Sequence, residues 1–151
     1  MEKLYNLNEL ALISGFTTRT LRSDIAAGTL DGEKIEGVWR FTAEAIDEFL
    51  NRPAIRRRAE ARQNALVYDF LSDSHKVANH LCVALDLPVT DEEAMEVQNF
   101  FCAEMCKAHQ AQFYARRVNG LLRITLSGAE EEIARMLSAY YGWKDGRSRD
   151  K

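Results

Sequence analysis

Apolar positions near the start of the chain recur at helical spacing in short bursts, each closed by a glycine. In "ELALIS", Leu10, Leu12 and Ile13 supply apolar contacts, Asn8 is placed to cap the start, and Gly15 ends the segment. Thr17 or Thr18 caps a second helix that turns Leu21, Ile25 and Ala26 inward and stops at Gly28, the C′ position where positive φ is cheap. "KIEGVWRF" reads as a two-stranded hairpin, with turns marked by Gly32 and Gly37. Thr42 opens a third helix, buried through Ile46, Phe49 and Leu50, and Pro53 interrupts it or begins a new one. "AIRRRAEAR" is made of good helix formers, and the apolar face of "ALVYDFL" (65–71) is expected to pack on a neighbouring domain.

After Ser74 the pattern changes. "HLCVALDLPV" reads as a strand ending near Pro88. Thr90 and Glu93 form a capping-box signature at the head of a helix with an apolar stripe of Ala94, Val97, Phe101, Met105 and Ala108. "AQFYARRV" and "LLRITLSG" alternate on either side of Asn119-Gly120, the preferred pair for a type I′ hairpin. "AEEEIARMLSAYY" gives a last helix with acids in its first turn.

The expected fold is therefore α+β in two parts. Helix, turn, helix, hairpin and helix make an N-terminal winged helix-turn-helix, mostly α with a small β wing, at 1–52. A basic linker helix covers 53–75. A small C-terminal β-α-β-β-α sandwich of ferredoxin-like flavour, with its sheet covered on one face, covers 76–143, and 144–151 is expected as a disordered tail.

The order and spacing of the N-terminal residues carry a resemblance. "YNLNELALISGFTTRTLRSDIAAGTL" followed by "GVWRFTAEAIDEFL" resembles the DNA-binding domain of MerR-type regulators and the related excisionase-like helix-turn-helix proteins. The match is at Glu9, Leu10, Gly15, Thr18, Arg19, Thr20, Leu21, Arg22, Gly28, Leu30, Arg40 and Phe41, and it covers about the first third of the chain. The chain departs from the MerR pattern in "SDIAAGTL", where Tyr-Tyr or Tyr-Asp is usual, and it lacks a long terminal heptad helix. The resemblance implies duplex DNA binding and transcription regulation.

The residues point the same way without it. A helix N-terminus offers free N–H groups and partial positive charge to phosphate. Thr17, Thr18 and Thr20 are short donors and acceptors at that end, and Arg19 and Arg22, three apart, share a face from which guanidinium groups grip phosphate or guanine. Lys34, Trp39 and Arg40 are expected to hold the flanking backbone from the wing, and Arg56 and Arg57 to track phosphates beside it. Each of these residues also has an ordinary reading as a cap, an ion-pair partner or part of a solvated linker.

Net charge is −3 across 151 residues, so bulk charge does not announce a nucleic-acid partner, but "RPAIRRRAEAR" holds five arginines against one glutamate. No apolar run approaches the roughly 20 residues of a membrane span, and no leader pattern opens the chain, so a cytoplasmic location is expected. Cys82, Cys102 and Cys106 are expected as reduced thiols. Cys102, Cys106 and His109 share a helix face, and His80 and Cys82 point alike on the preceding strand. Without C-x-x-C, packing outweighs metal binding, and no metal or cofactor is expected. His75, His80 and His109 stand apart from any nucleophile, and no catalytic motif is present, so an enzyme is not expected. The open sheet of the second half is expected to make a homodimer; a small-molecule effector is the other role open to it, though no pocket is legible. The rivals to a transcription regulator are an excisionase-like architectural factor and a protein-interaction module that has lost DNA binding.

Overall fold

The computed structural model describes residues 2–108 and 110–150. It is a mixed α+β fold with two three-stranded antiparallel sheets. Helix α1 (Leu7–Ser14) is capped by Asn6, whose side chain accepts from the Glu9 N–H at 2.8 Å while its amide donates to the Glu9 carboxylate at 2.8 Å. The cap is thus Asn6, not Asn8, because only Asn6 has a glutamate three residues on to close the reciprocal pair. Gly15 at φ +76° ends α1, and Thr17 caps α2 (Thr18–Ala26). Helix α2 closes in a Schellman motif: Gly28, at φ +76°, donates to the Ile25 carbonyl and Thr29 to that of Asp24.

Strands β2 (Glu33–Ile35) and β3 (Val38–Thr42) join through Glu36-Gly37, both at positive φ, as a two-residue type I′ turn requires. The expected two-stranded wing gains a third strand, β1 (Leu4–Tyr5), on the other edge of β3. Two residues are too few to show a period, which is why the sequence pattern misses it. Helix α3 (Ala43–Asn51) starts at the Thr42 cap, and α4 (Pro53–Ser72) places Pro53 in its first turn, where a missing N–H costs nothing.

The second sheet has the order β4-β6-β5, formed by β4 (His80–Pro88), β5 (Gln112–Val118) and β6 (Leu121–Ala129), with the β5–β6 turn at Asn119-Gly120 again at positive φ. The register puts Val83, Leu126 and Phe113 on one face, where Phe113 stacks on Phe101 of α5 (Asp91–Met105) at 5.8 Å. Gly128 on the same face lies against Ile133 of α6 (Glu130–Arg149).

The opposite face is not left open. Along β5 and β6 it is covered by α4, whose Gln63 accepts from Arg116 Nε at 2.8 Å and donates to the Arg123 carbonyl at 3.1 Å, and Thr125 there is buried. Within 65–71 the turn of the helix buries Leu66 and half-buries Val67 and Phe70, while Tyr68 and Leu71 are 70% and 76% exposed, so the expected apolar face packs only in part.

One continuous hydrophobic core takes in Leu10, Phe16 and Phe41 from the first part and Phe101, Ile124 and Tyr140 from the second. The segment expected as a disordered tail from residue 144 is helical to Arg149. Trp143 stacks on Phe100 at 4.9 Å and Arg147 pairs with Glu96, so the last turns are held by α5. Among the described residues no helix is long and apolar enough to cross a membrane.

Candidate nucleic-acid interface

Helix α2 has a divided surface. Leu21 is buried without residual exposure, Asp24 is buried, and Ile25 packs partly against the core. Arg19, Arg22, Ser23 and Ala26 are exposed and follow one another at i, i+3, i+4 and i+7, a single stripe along the outer side. No acidic side chain lies in that stripe. Ser23 and Ala26 extend the face beyond the residues picked out from sequence; counting four and seven on from Arg19 would have found them.

The threonines at the head of α2 are committed locally. Thr17 Oγ1 accepts from the Thr20 N–H at 3.1 Å, and the two hydroxyls bond at 3.0 Å. Thr18 and Thr20 are half-buried, while Thr17 stays exposed. Their first role is to cap and stiffen the helix start. The arginines differ: among the described residues, no hydrogen bond or ion pair engages the side chains of Arg19, Arg22, Arg40, Arg52, Arg56 or Arg57.

The two basic residues of the hairpin do not share a surface. Lys34 stands opposite Trp39 with its Nζ 5.4 Å from the ring centroid, whereas Arg40 stands opposite Glu33 on the other face. Pairing in an antiparallel ladder keeps opposed residues on one face and sends neighbours to the other. The outer face with Arg40 also exposes Leu4, Ile35 and Val38. Trp39 is half-buried against the core.

The run of arginines in α4 separates by the 100° turn of the helix. Arg56 and Arg57 are exposed. Arg58 turns back to α2, donating to both oxygens of Asp24 at 2.8 and 3.4 Å with its guanidinium 4.7 Å from the Phe16 ring. Arg62 lies over the same ring at 5.9 Å. The bidentate pair therefore fixes α2 against α4. Arg58→Ala would leave the Asp24 carboxylate buried without its partner. Because Arg58 is 41% exposed, solvent screens the pair, and the expected cost is about 1–2 kcal/mol in urea unfolding. No loss of stability in that variant would remove the pair as an anchor of α2.

Cys102 and Cys106 lie close together at the end of α5, and Cys82 stands apart from both. Cys82 lies on the sheet face away from α5, since its neighbours Leu81 and Val83 occupy the face that α5 and α6 cover. His80, two residues before it on β4, shares that face, as the alternation of the strand expects. His109 lies outside the described residues, so its expected place on the face of Cys102 and Cys106 is not described. Among the described residues no group of three or more His, Cys, Asp or Glu could hold a metal ion. Burial pushes the Cys102 thiol up to about 12, and Cys106 is exposed. Iodoacetamide at neutral pH is therefore expected to alkylate Cys106 in the native protein and Cys102 only after denaturation, read by peptide mass. Rapid native labelling of Cys102 would contradict its burial.

Comparisons of the chain with known protein families, with curated proteins and with solved structures find no match.

Proposed function

We propose that the chain is a DNA-binding transcription regulator of MerR-like type, in which residues 1–52 act as a winged helix-turn-helix. The observation that carries this reading is the outer stripe of α2. Two arginines without partners stand on a threonine-capped helix whose inner side is locked to the core by Leu21 and to α4 by the Asp24–Arg58 pair. A rigid helix with unengaged guanidinium groups is what base and phosphate recognition in a major groove needs. Arg57, also unengaged, adds charge for flanking phosphates, and Lys34 beside Trp39 does the same from the hairpin.

A homodimer fits the second sheet. Strand β4 is paired along all nine residues with β6 on one side and forms an edge of the sheet on the other. A second copy adding β4 to β4 would complete its backbone hydrogen bonds and set two α2 helices for a two-fold site.

The test is selection of random duplex DNA by the purified full chain at two salt concentrations. A short inverted repeat, enriched at low salt and weakened at high salt, is the expected outcome. The exposed Leu4, Ile35 and Val38 on the outer face of the first sheet favour one second reading, a protein-interaction module. Absence of enrichment at either salt overturns the DNA reading in favour of that one.

A further inference from the structure

The last turns of α6 lie against the first turns of α5, and between them, beside Val89 in the β4–α5 link, the chain leaves a cavity of about 170 Å³. Its walls are apolar and aromatic: Val97 comes from α5, and Tyr140 and Trp143 from α6. Tyr140, Trp143, Lys144, Arg147 and Ser148 recur at i, i+3, i+4, i+7 and i+8, so one face of α6 turns all five to the same space. That face is braced. Trp143 stacks on Phe100, the Arg147 guanidinium lies 4.8 Å from the Trp143 ring centroid, and Arg147 also pairs with Glu96.

Most polar groups around the cavity are already committed. Glu93 accepts from the Thr90 N–H at 3.1 Å in the capping box, Arg147 is held by Glu96, and the Ser148 hydroxyl donates to the Lys144 carbonyl at 3.2 Å. Lys144 is exposed to solvent. Tyr140 is the exception within the walls: it is 3% exposed, and no hydrogen bond engages its hydroxyl among the described residues. Burial pushes its pKa up, with Tyr141 adding, so the hydroxyl stays a neutral donor. A buried water needs roughly two to four polar partners, which these walls do not supply, whereas roughly 150 Å³ of apolar cavity is enough to take up benzene.

We propose that this cavity binds a small, uncharged aromatic molecule of one ring, seated against Val97, Tyr140 and Trp143. Aromatic walls favour a flat ring over a saturated one, because its positive edge meets the negative face of a neighbouring ring. With Glu93 and Arg147 both engaged, the site asks no charge of its occupant. A bound ring would tie the end of α6 to the start of α5.

The test uses the full chain without DNA, which keeps it separate from the proposed DNA binding. Fluorine NMR follows para-fluorobenzyl alcohol as the protein is added. Saturable broadening of its signal is expected, reversed by benzyl alcohol and less well by cyclohexylmethanol. Val89→Phe, which brings a ring into the cavity from a half-buried position, is expected to weaken binding about tenfold or more. In a Trp39→Phe background Trp143 is the remaining tryptophan, and its emission is expected to change over the same concentration range. Absence of saturable binding overturns the proposal, as does undiminished binding by folded Val89→Phe. Unchanged Trp143 emission also overturns it, and that measurement decides alone if Val89→Phe does not fold. Equal competition by cyclohexylmethanol overturns the aromatic assignment.

Discussion

Gly15→Ala is expected to destabilise the protein by about 2–4 kcal/mol, through two independent penalties at one residue. The backbone at Gly15 sits at φ +76°, a conformation that costs a side-chain-bearing residue roughly 1 kcal/mol. An added Cβ would also lie 2.2 Å from Cδ1 and 2.6 Å from Cε1 of Tyr114, deep inside van der Waals contact. Relieving that overlap means displacing a ring packed between the α1–α2 turn and β5, an overpacking cost of roughly 1–3 kcal/mol. Gly28→Ala is the internal control: φ is again +76°, but nothing lies within 4 Å, so only the backbone penalty applies. Urea unfolding of both variants separates the terms. Equal losses at the two positions would show that Tyr114 does not press on the turn. A larger loss at Gly15, partly recovered by adding Tyr114→Ala, is the expected pattern.

The double variant Arg19→Ala/Arg22→Ala is expected to lower affinity for the selected DNA by roughly 10²–10⁴-fold, at about 1–3 kcal/mol for each arginine that reads a base. Among the described residues neither side chain has a partner, so stability is expected to stay within the roughly ±0.5 kcal/mol typical of surface changes and the Tm to stay where it is. That combination distinguishes a recognition role from a structural one. The single variants divide it further: loss of preference for the selected site over random DNA marks base reading, and a uniform loss with a shallower salt dependence marks phosphate contact. Unaltered affinity in the double variant would overturn the assignment of α2 as the reading helix.

These two predictions draw on different levels of information. That Gly15 ends α1 follows from its place after an apolar burst, but its contact with Tyr114 spans most of the chain and has no local signature. The stripe of α2 was half legible. Arg19 and Arg22 stand out by type and spacing; Ser23 and Ala26 follow at the same helical spacing but not by type, and burial of Leu21 and Asp24 fixes that side as the outer one. At the hairpin, the sequence grouped Lys34, Trp39 and Arg40 by charge and proximity. The ladder register separated them, since Arg40 and Trp39 are neighbours on one strand and must point oppositely.

By itself the sequence determined the features whose energy is local. The Thr90–Glu93 capping box, the Asn119-Gly120 turn and the glycine ends of α1 and α2 depend on bonds and dihedral angles within a few residues, and all are present. Tertiary structure alone decided the features whose energy is shared between distant segments. It turned Arg58 to Asp24 across 34 positions, drew α4 over the second sheet through Gln63, and held the last turns of α6 as helix through Trp143 and Phe100. Burial and pairing of this kind arise only when remote surfaces meet, and composition or period along one segment cannot encode which surface it will meet.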